Sequence, residues 1–460
     1  MVNSLKPNEK IFCVEQETGR EIGGFFNFSN ERIETELISF SGPFNIPENK
    51  RITLLADDLQ FITLLDSFFS SGSRSKHSEP ARKADIQRIH SNIALVGHCP
   101  WTEEMNVKGV SFEVPGSQRI LENQNFVKLL SGEDRYSDAD RRIVRVALNG
   151  MELSIWYTAE YKGSTVFPTV WGPRFEINFS QPKSIDDFTD TLSFVTSFLS
   201  FNLGVCLQWR DPKLSSLSND EIEAAVEEGA FFGTHDAIFM LSDDKPNTEN
   251  SGNWGSPCLC HDKEERIIFG RCIAKWLERA PAWHAAYSLM MGFLKLNDII
   301  SAERLLAACK CLEQIPDANS VTVVAKEKID KITQSAQEAA KELELANLTP
   351  RINSALSRIG LEDHTTRLER LFEYSLNGRP SFKPTETVID DLRNAMYFRG
   401  HAAHRTLNEN TDDEFRKLSR AISAVECLCF LLLARDLPLS SRGRDRVFQN
   451  RLVTDYANAY

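Results

Sequence analysis

Up to about residue 205 the apolar residues of this chain recur in short, often alternating runs, and from about residue 300 onward they recur at helical spacing. This change of period constrains the fold more than any other feature. A two-residue repeat sends side chains to alternate faces of a strand, whereas a 3.6-residue repeat lines one face of a helix. The chain is therefore expected to be α+β and multidomain. A β-rich domain is read over residues 1–205, a helical connecting region over 206–299 and an all-α bundle over 300–460. At 460 residues the chain is too long for one ordinary core.

Strand signals in the first part are GGFFNF from Gly23, RITLLA from Arg51, NIALVG from Asn92 and GVSFEV from Gly109. RIVRVAL and MELSIWY flank Asn149-Gly150, a pair suited to the positive φ angles of a two-residue hairpin turn. FEINF, from Phe175, reads as the last strand, and Phe69 to Lys83 as an exposed, mobile loop. Ser184 is placed to cap a helix whose Phe188, Leu192, Val195 and Leu199 share a face. Further on, Asp220–Ala230 reads as an acidic helix and Ser242–Pro257 as a linker. Glu264–Ala280, with Ile267, Ile268, Cys272, Trp276 and Leu277 buried, and Trp283–Leu296 read as two helices.

In the last part, helices are expected over 301–315, 323–345, 348–360, 365–376, 387–405 and 412–437. Short links between them favour an antiparallel bundle. The arginine-rich end (Arg442, Arg444, Arg446, Arg451) reads as a solvated helix or an added anion-binding surface.

The stretch Tyr397 to Arg405, YFRGHAAHR, crowds Arg399, His401, His404 and Arg405 into two helical turns. An imidazole exchanges protons near neutrality, and a guanidinium offers a permanent planar charge that grips phosphate oxygens in pairs. Metal-free RNA cleavage needs those groups: a base for the 2′-hydroxyl, an acid for the leaving 5′-oxygen and a cation for the phosphorane. The structural alternative is a helix C-terminus whose cations complement the macrodipole.

The R-x4-H spacing of Arg399 and His404, in a helical context, resembles the signature of HEPN domains, helical RNases of bacterial defence and toxin systems. Upstream, ALVGHCPW, GVSFEVPG, FEINFSQPKSIDDF and SFLSF follow one another in an order that resembles the N-terminal domain of ApeA-like antiphage proteins, which precedes their HEPN domain. The resemblance implies a metal-independent endoribonuclease that leaves a 2′,3′-cyclic phosphate and a 5′-hydroxyl, with tRNA or other host RNA as substrate. It implies His404 as acid/base group, Arg399 as phosphate clamp, and Glu313, or else Glu369, as the carboxylate that orients the motif. His401 and Arg405 would contact substrate. The implied partners are a second copy of the chain and a phage-encoded trigger sensed by the N-terminal domain; no cofactor is called for. Gly400 departs from the family, which carries Asn or another polar residue after the arginine. A degenerate, non-catalytic scaffold is the alternative.

Charge and cysteine usage narrow the remaining classes. The formal charge of −12 confines any RNA site to a local patch or one assembled between subunits. No apolar run approaches the ~20 residues that span a bilayer, and MVNSLKPNEK lacks a signal-peptide core. A cytoplasmic protein without membrane contact is expected, which suits ten cysteines set in apolar surroundings. Cys258-x-Cys260-His261 invites a zinc reading, yet Cys-x-Cys recurs at 309/311 and 427/429 within helices, where the two side chains face apart. Small buried side chains account for them better, and no metal is assigned. His98, Cys99 and Trp101 lack an accompanying ligand cluster.

Overall fold

The alternating runs of the first part form strands that pair into one antiparallel sheet. In chain order these are β1 (Ile11–Glu15), β2 (Ile22–Phe28), β3 (Ile33–Ser39), β4 (Ile52–Ala56), β5 (Phe61–Leu65), β6 (Phe68–Arg74) and β7 (Asp85–Ser91). Then come β8 (Ile93–Gly97), β9 (Val107–Glu113), β10 (Arg142–Leu148), β11 (Met151–Glu160), β12 (Val170–Lys183), β13 (Arg210–Ser215) and β14 (His235–Phe239). Their order across the sheet is β10-β11-β12-β9-β13-β14-β8-β5-β4-β1-β2-β3-β7-β6. The computed structural model describes residues 6–16, 22–29, 32–40, 44–74, 85–121, 142–148, 150–160, 170–229, 233–239, 255–260, 262–318, 321–356, 360–376, 386–403 and 412–458.

Alternation sets the register. In β3 the side chains of Ile33, Thr35, Leu37 and Ser39 are buried and those between them are not. Ile33 and Leu37 join Phe26, Ile62, Leu64, Ile89 and Val96 in one apolar cluster. A Cβ on Gly24 would lie 2.1 Å from the Glu36 carbonyl oxygen, so β2 approaches β3 there only as glycine. The hairpin of β10 and β11 closes with Leu148 opposite Met151, and Gly150 has φ +87°; Asn149 lies outside the described residues.

Eleven α-helices are found among the described residues: α1 (Ile185–Leu203), α2 (Asn219–Glu227), α3 (Lys263–Lys295), α4 (Ala302–Gln314), α5 (Lys326–Glu342) and α6 (Thr349–Leu356), then α7 (His364–Ser375), α8 (Val388–Ala403), α9 (Asp412–Arg435), α10 (Ser441–Val447) and α11 (Arg451–Ala457). Ser184 accepts from the Asp187 N–H at the start of α1, and Phe188, Leu192, Val195 and Leu199 are fully buried. The chain divides into two compact units: Met1–Thr196 with Leu207–Asn247 and Cys260–Gly270, and Ser197–Cys206 with Thr248–Leu259 and Arg271–Tyr460.

Four expectations are corrected. The region 206–299 is not wholly helical, because β13 and β14 fill the sheet between β9 and β8. Phe69–Arg74 belongs to β6, paired to β7, rather than to a loop; residues 75–83 lie outside the described ones. The two helices around Pro281 are one, α3. Trp276 and Tyr287 stack across that point at 4.1 Å and 5°, while the Arg279 guanidinium lies over Trp276 and Trp283. This packing offsets the backbone hydrogen bond that proline cannot make. Within α3, Ile267 is 51% exposed, and Phe269 is buried near it in the chain.

In the second unit α9 packs against α4, α7, α8 and α11. Between α4 and α9, Arg304 grips Glu426 through two hydrogen bonds of 2.6 and 2.7 Å, and donates to the Asn297 carbonyl. Burial disfavours the Arg304 cation, yet the Glu426 carboxylate leaves its pKa raised. At the other end of α8, buried Asp391 accepts from Tyr456 Oη (2.8 Å), Arg420 (2.9 Å) and Thr387 (3.0 Å). The arginine-rich end docks through Leu452, Val453 and Tyr456, which are buried, while Arg442 and Arg444 stay exposed.

Removing one partner strands a buried charge, so Arg304→Met is expected to cost about 3–5 kcal/mol of unfolding free energy by denaturant titration. Arg304→Met with Glu426→Leu should recover most of it. A loss of only about 0–1 kcal/mol, the range of exposed pairs, would mean that water reaches this one.

Candidate functional site

On α8 the buried positions Val388, Leu392, Ala395 and Ala402 define an inward stripe, and Arg399 occupies the next place on it after Ala395. A guanidinium on an inward face needs a carboxylate, and α4 supplies one. Glu313 lies one turn beyond buried Cys309, and its two oxygens receive Arg399 Nη1 at 2.7 Å and Nη2 at 2.9 Å. Both side chains remain about one-third exposed, 37% for Arg399 and 36% for Glu313, so the fork sits at an open end of the packed helices. The structure thus brings together two of the sequence-selected residues.

The others are placed differently. Glu369 pairs with Arg393 at 3.6 Å rather than with Arg399. His401 sits two residues along α8, about 200° around the helix from Arg399 at about 100° per residue. Its ring lies 4.5 Å from that of Tyr397, which is 63% exposed. His404 and Arg405 lie outside the described residues. Gly400 is exposed, and a Cβ there would meet nothing within 4 Å.

Two residues that sequence reasoning passed over lie within electrostatic reach of the fork. The buried stripe of α7 is Leu368, Leu371, Phe372 and Ser375, and Arg367 and His364 continue it toward the helix start. Asp363 caps that start by accepting from the Thr365 and Thr366 N–H groups. Arg367 donates to the Ala318 carbonyl at 2.9 Å, on the turn that follows α4. His364 stays solvent-accessible. The partial desolvation it does suffer, followed by the charges of Arg367 and Arg399, holds its imidazole below the usual histidine range; Glu313 and Asp363 pull the other way. The signal available in the sequence was a polar residue at an apolar-stripe position, at 364, 367 and 399 alike.

The cysteine and histidine candidates elsewhere are packing groups. Burial pushes the Cys309 and Cys427 thiols up to about 12, and the Cys311 and Cys429 thiols donate to the Ala286 and Ala308 carbonyls. Cys258 is buried and donates its N–H to Asn202 Oδ1, while His261 lies outside the described residues. Near His98, the Trp101 N–H donates to Thr63 Oγ1, and the Cys99 carbonyl contacts His235 Nε2 at 2.8 Å. Among the described residues no group of three or more His, Cys, Asp or Glu could hold a metal ion, and no helix is long and apolar enough to cross a membrane.

Comparison with known proteins adds one match. The family model described as ApeA N-terminal domain 1 matches residues 11–276, more than half of the chain. That span runs from β1 through all later strands and ends within α3. No curated protein and no solved structure matches the chain.

Two measurements check this geometry. Histidine-selective NMR should find His364 titrating below the usual range. Glu313→Gln, which removes a charge that favours the imidazolium, should lower its pKa further, and Arg367→Gln should raise it. Insensitivity to both would separate His364 from the fork. Because Gly400 faces open space, Gly400→Ala should stabilise the fold by about 0.5–1 kcal/mol in thermal or denaturant unfolding.

Proposed function

The chain belongs to the ApeA N-terminal domain 1 family, and from that premise we propose that it is an antiphage defence protein whose C-terminal helices act as a metal-independent, HEPN-type endoribonuclease. The observation that carries this reading is the Arg399–Glu313 fork at an open, polar end of the second unit's helices. Arg399 is where the R-x4-H resemblance puts the phosphate clamp, and Glu313 is the carboxylate chosen to orient it.

In this mechanism the 2′-oxygen attacks the adjacent phosphorus and the bond to the 5′-oxygen breaks. The products are a 2′,3′-cyclic phosphate and a 5′-hydroxyl. Arg399 stabilises charge on the phosphorane, with Glu313 fixing the plane of its guanidinium. His404 exchanges protons with the reacting oxygens, and His401 and Arg405 contact the strand. Two copies, facing one another through the motif, would concentrate positive charge on a chain whose net charge is −12. The β-rich unit would sense a phage-encoded trigger and release activity against tRNA or other host RNA in the cytoplasm, ending in abortive infection.

A non-catalytic scaffold is the second reading. It is favoured by the two hydrogen bonds that already tie Arg399 to Glu313, and by Gly400 in place of a polar residue.

The test is expression and cleavage with Arg399→Ala and His404→Ala. Both variants should abolish toxicity in cells and leave the fold and oligomeric state unchanged. Purified wild type, with phage lysate where required, should cut tRNA in EDTA and leave cyclic-phosphate ends. Full toxicity in both variants would sink the assignment, and inertness of the wild type under all these conditions would favour the scaffold.

A further inference from the structure

The hairpin of α5 and α6 takes no part in the ion pairs that pin the other helices of its unit. Among the described residues α5 packs closely only on α6 and on the turn that joins them, and Gln337 Nε2 donates to Asn353 Oδ1 at 2.6 Å. The hairpin is rooted in a short bridge, where the Val323 N–H donates to the Gly360 carbonyl and the Glu362 N–H to the Val321 carbonyl. Ile329, Thr333, Ala336 and Ala340 form the stripe of α5 turned to α6, and each is buried or half-buried. Beside that stripe, at about 100° per residue, Ile332, Ala339 and Leu343 lie within about 40° of one another. Ile332 is 46% exposed, and Leu343, at the C-cap, 69%. Scattered exposed aliphatic side chains need no explanation, but these stand in line on the free side of a helix.

The charges on the flank of this seam away from α6 have an order that does not suit an isolated helix. Lys328 and Lys331 come first, Ser335 follows, and Glu338 and Glu342 come last, all of them exposed. Like charges three or four residues apart repel. Cations toward a helix start and anions toward its end also oppose the macrodipole. An antiparallel copy of the same helix would remove both faults. A two-fold axis near Ser335 would set Lys328 against the second copy's Glu342 and Lys331 against its Glu338, each contact being made twice. In that register Ile332 would meet Ala336 and Ala339 of the second copy, a large side chain against small ones. The apolar ends match as well. Leu343 and Leu345, 69% and 44% exposed, would come to the end that carries Val321 and Val323, 46% and 61% exposed. A parallel pair would instead set Lys328 against Thr333, on the stripe that α6 already covers.

We propose that the exposed seam of α5 is an interface to a second copy of this chain, in which the two α5 helices pair antiparallel about a two-fold axis near Ser335. The charge order identifies the occupant. The flank is complementary to itself run backwards, which is what an isologous contact requires. This interface uses no residue of the R-x4-H motif or of the fork, so it does not rest on the ribonuclease reading or on pairing through the motif. Exposed charge pairs contribute little each and are screened by salt, so the association is concentration- and salt-dependent.

The experiment uses the full-length chain and reads this contact by disulfide formation, which a dimer built through another face does not mimic. Ser335→Cys lies on the axis and should yield a disulfide-linked dimer under mild oxidation at low protein concentration, well above the wild-type background. On that Ser335→Cys background, Lys328→Glu should slow linking about tenfold, because two attractive contacts become two repulsive ones. Glu342→Lys should do the same, and the two reversals together should restore the rate, since each pair is then re-formed with its signs exchanged. All of these positions are exposed, and melting temperatures verify the fold of each variant. No linking by Ser335→Cys above wild type would overturn the proposal. So would linking that ignores the single reversals, or that the double reversal fails to restore, because the contact would then lack these pairs.

Discussion

The helical unit depends on an ion pair that water does not reach. Arg304 and Glu426 lie at 9% and 3% side-chain exposure, and their bidentate contact holds α4 against α9. A buried pair of this kind contributes little beyond what an apolar pair would, but it tolerates only one register, since a slip leaves two charges unpaired. Glu313 sits on α4, nine residues beyond Arg304, and inherits that register. The Asp391 cluster does the same for α8 through Tyr456, Arg420 and Thr387. With both helices pinned, Glu313 and Arg399 meet in one geometry instead of several.

The same helices are apolar along most of their inward stripes and polar at one end. Leu392 and Ala395 give way to Arg399; Leu371 and Leu368 give way to Arg367 and His364. A charged group at a stripe position is tolerated only if it is paired or reaches water, and here it does both. The result is a corner where the charges of Arg367 and Arg399 meet those of Glu313 and Asp363. Within it, partial burial first and the charges of Arg367 and Arg399 second hold the His364 imidazole below its ordinary range.

Half of the fourteen strands were legible because their apolar runs are local: β2, β4, β8, β9, β10, β11 and β12 coincide with runs visible by eye. β13 and β14 were among those that were not, since RDPKLS carries few apolar residues and HDAIF is only five residues long. They are strands because β9 and β8 offer open edges on either side of them. The break read between Ala280 and Trp283 is absent for a related reason: stacking between Trp276 and Tyr287, eleven residues apart, carries one helix through Pro281.

By itself the sequence determined the division into a strand-rich part and a helical part and the positions of most helices; that Arg399 meets Glu313 rather than Glu369 was decided by the structure. The division and the helix positions follow from periodicity and capping residues, which act over a few residues. Only the tertiary structure decided the order of the fourteen strands, the docking of the arginine-rich end and the placing of His364 and Arg367 within electrostatic reach of the fork. Those features depend on which open edge or charged end finds its complement across tens or hundreds of residues. No local pattern encodes that choice, because the residues that settle it belong to other elements.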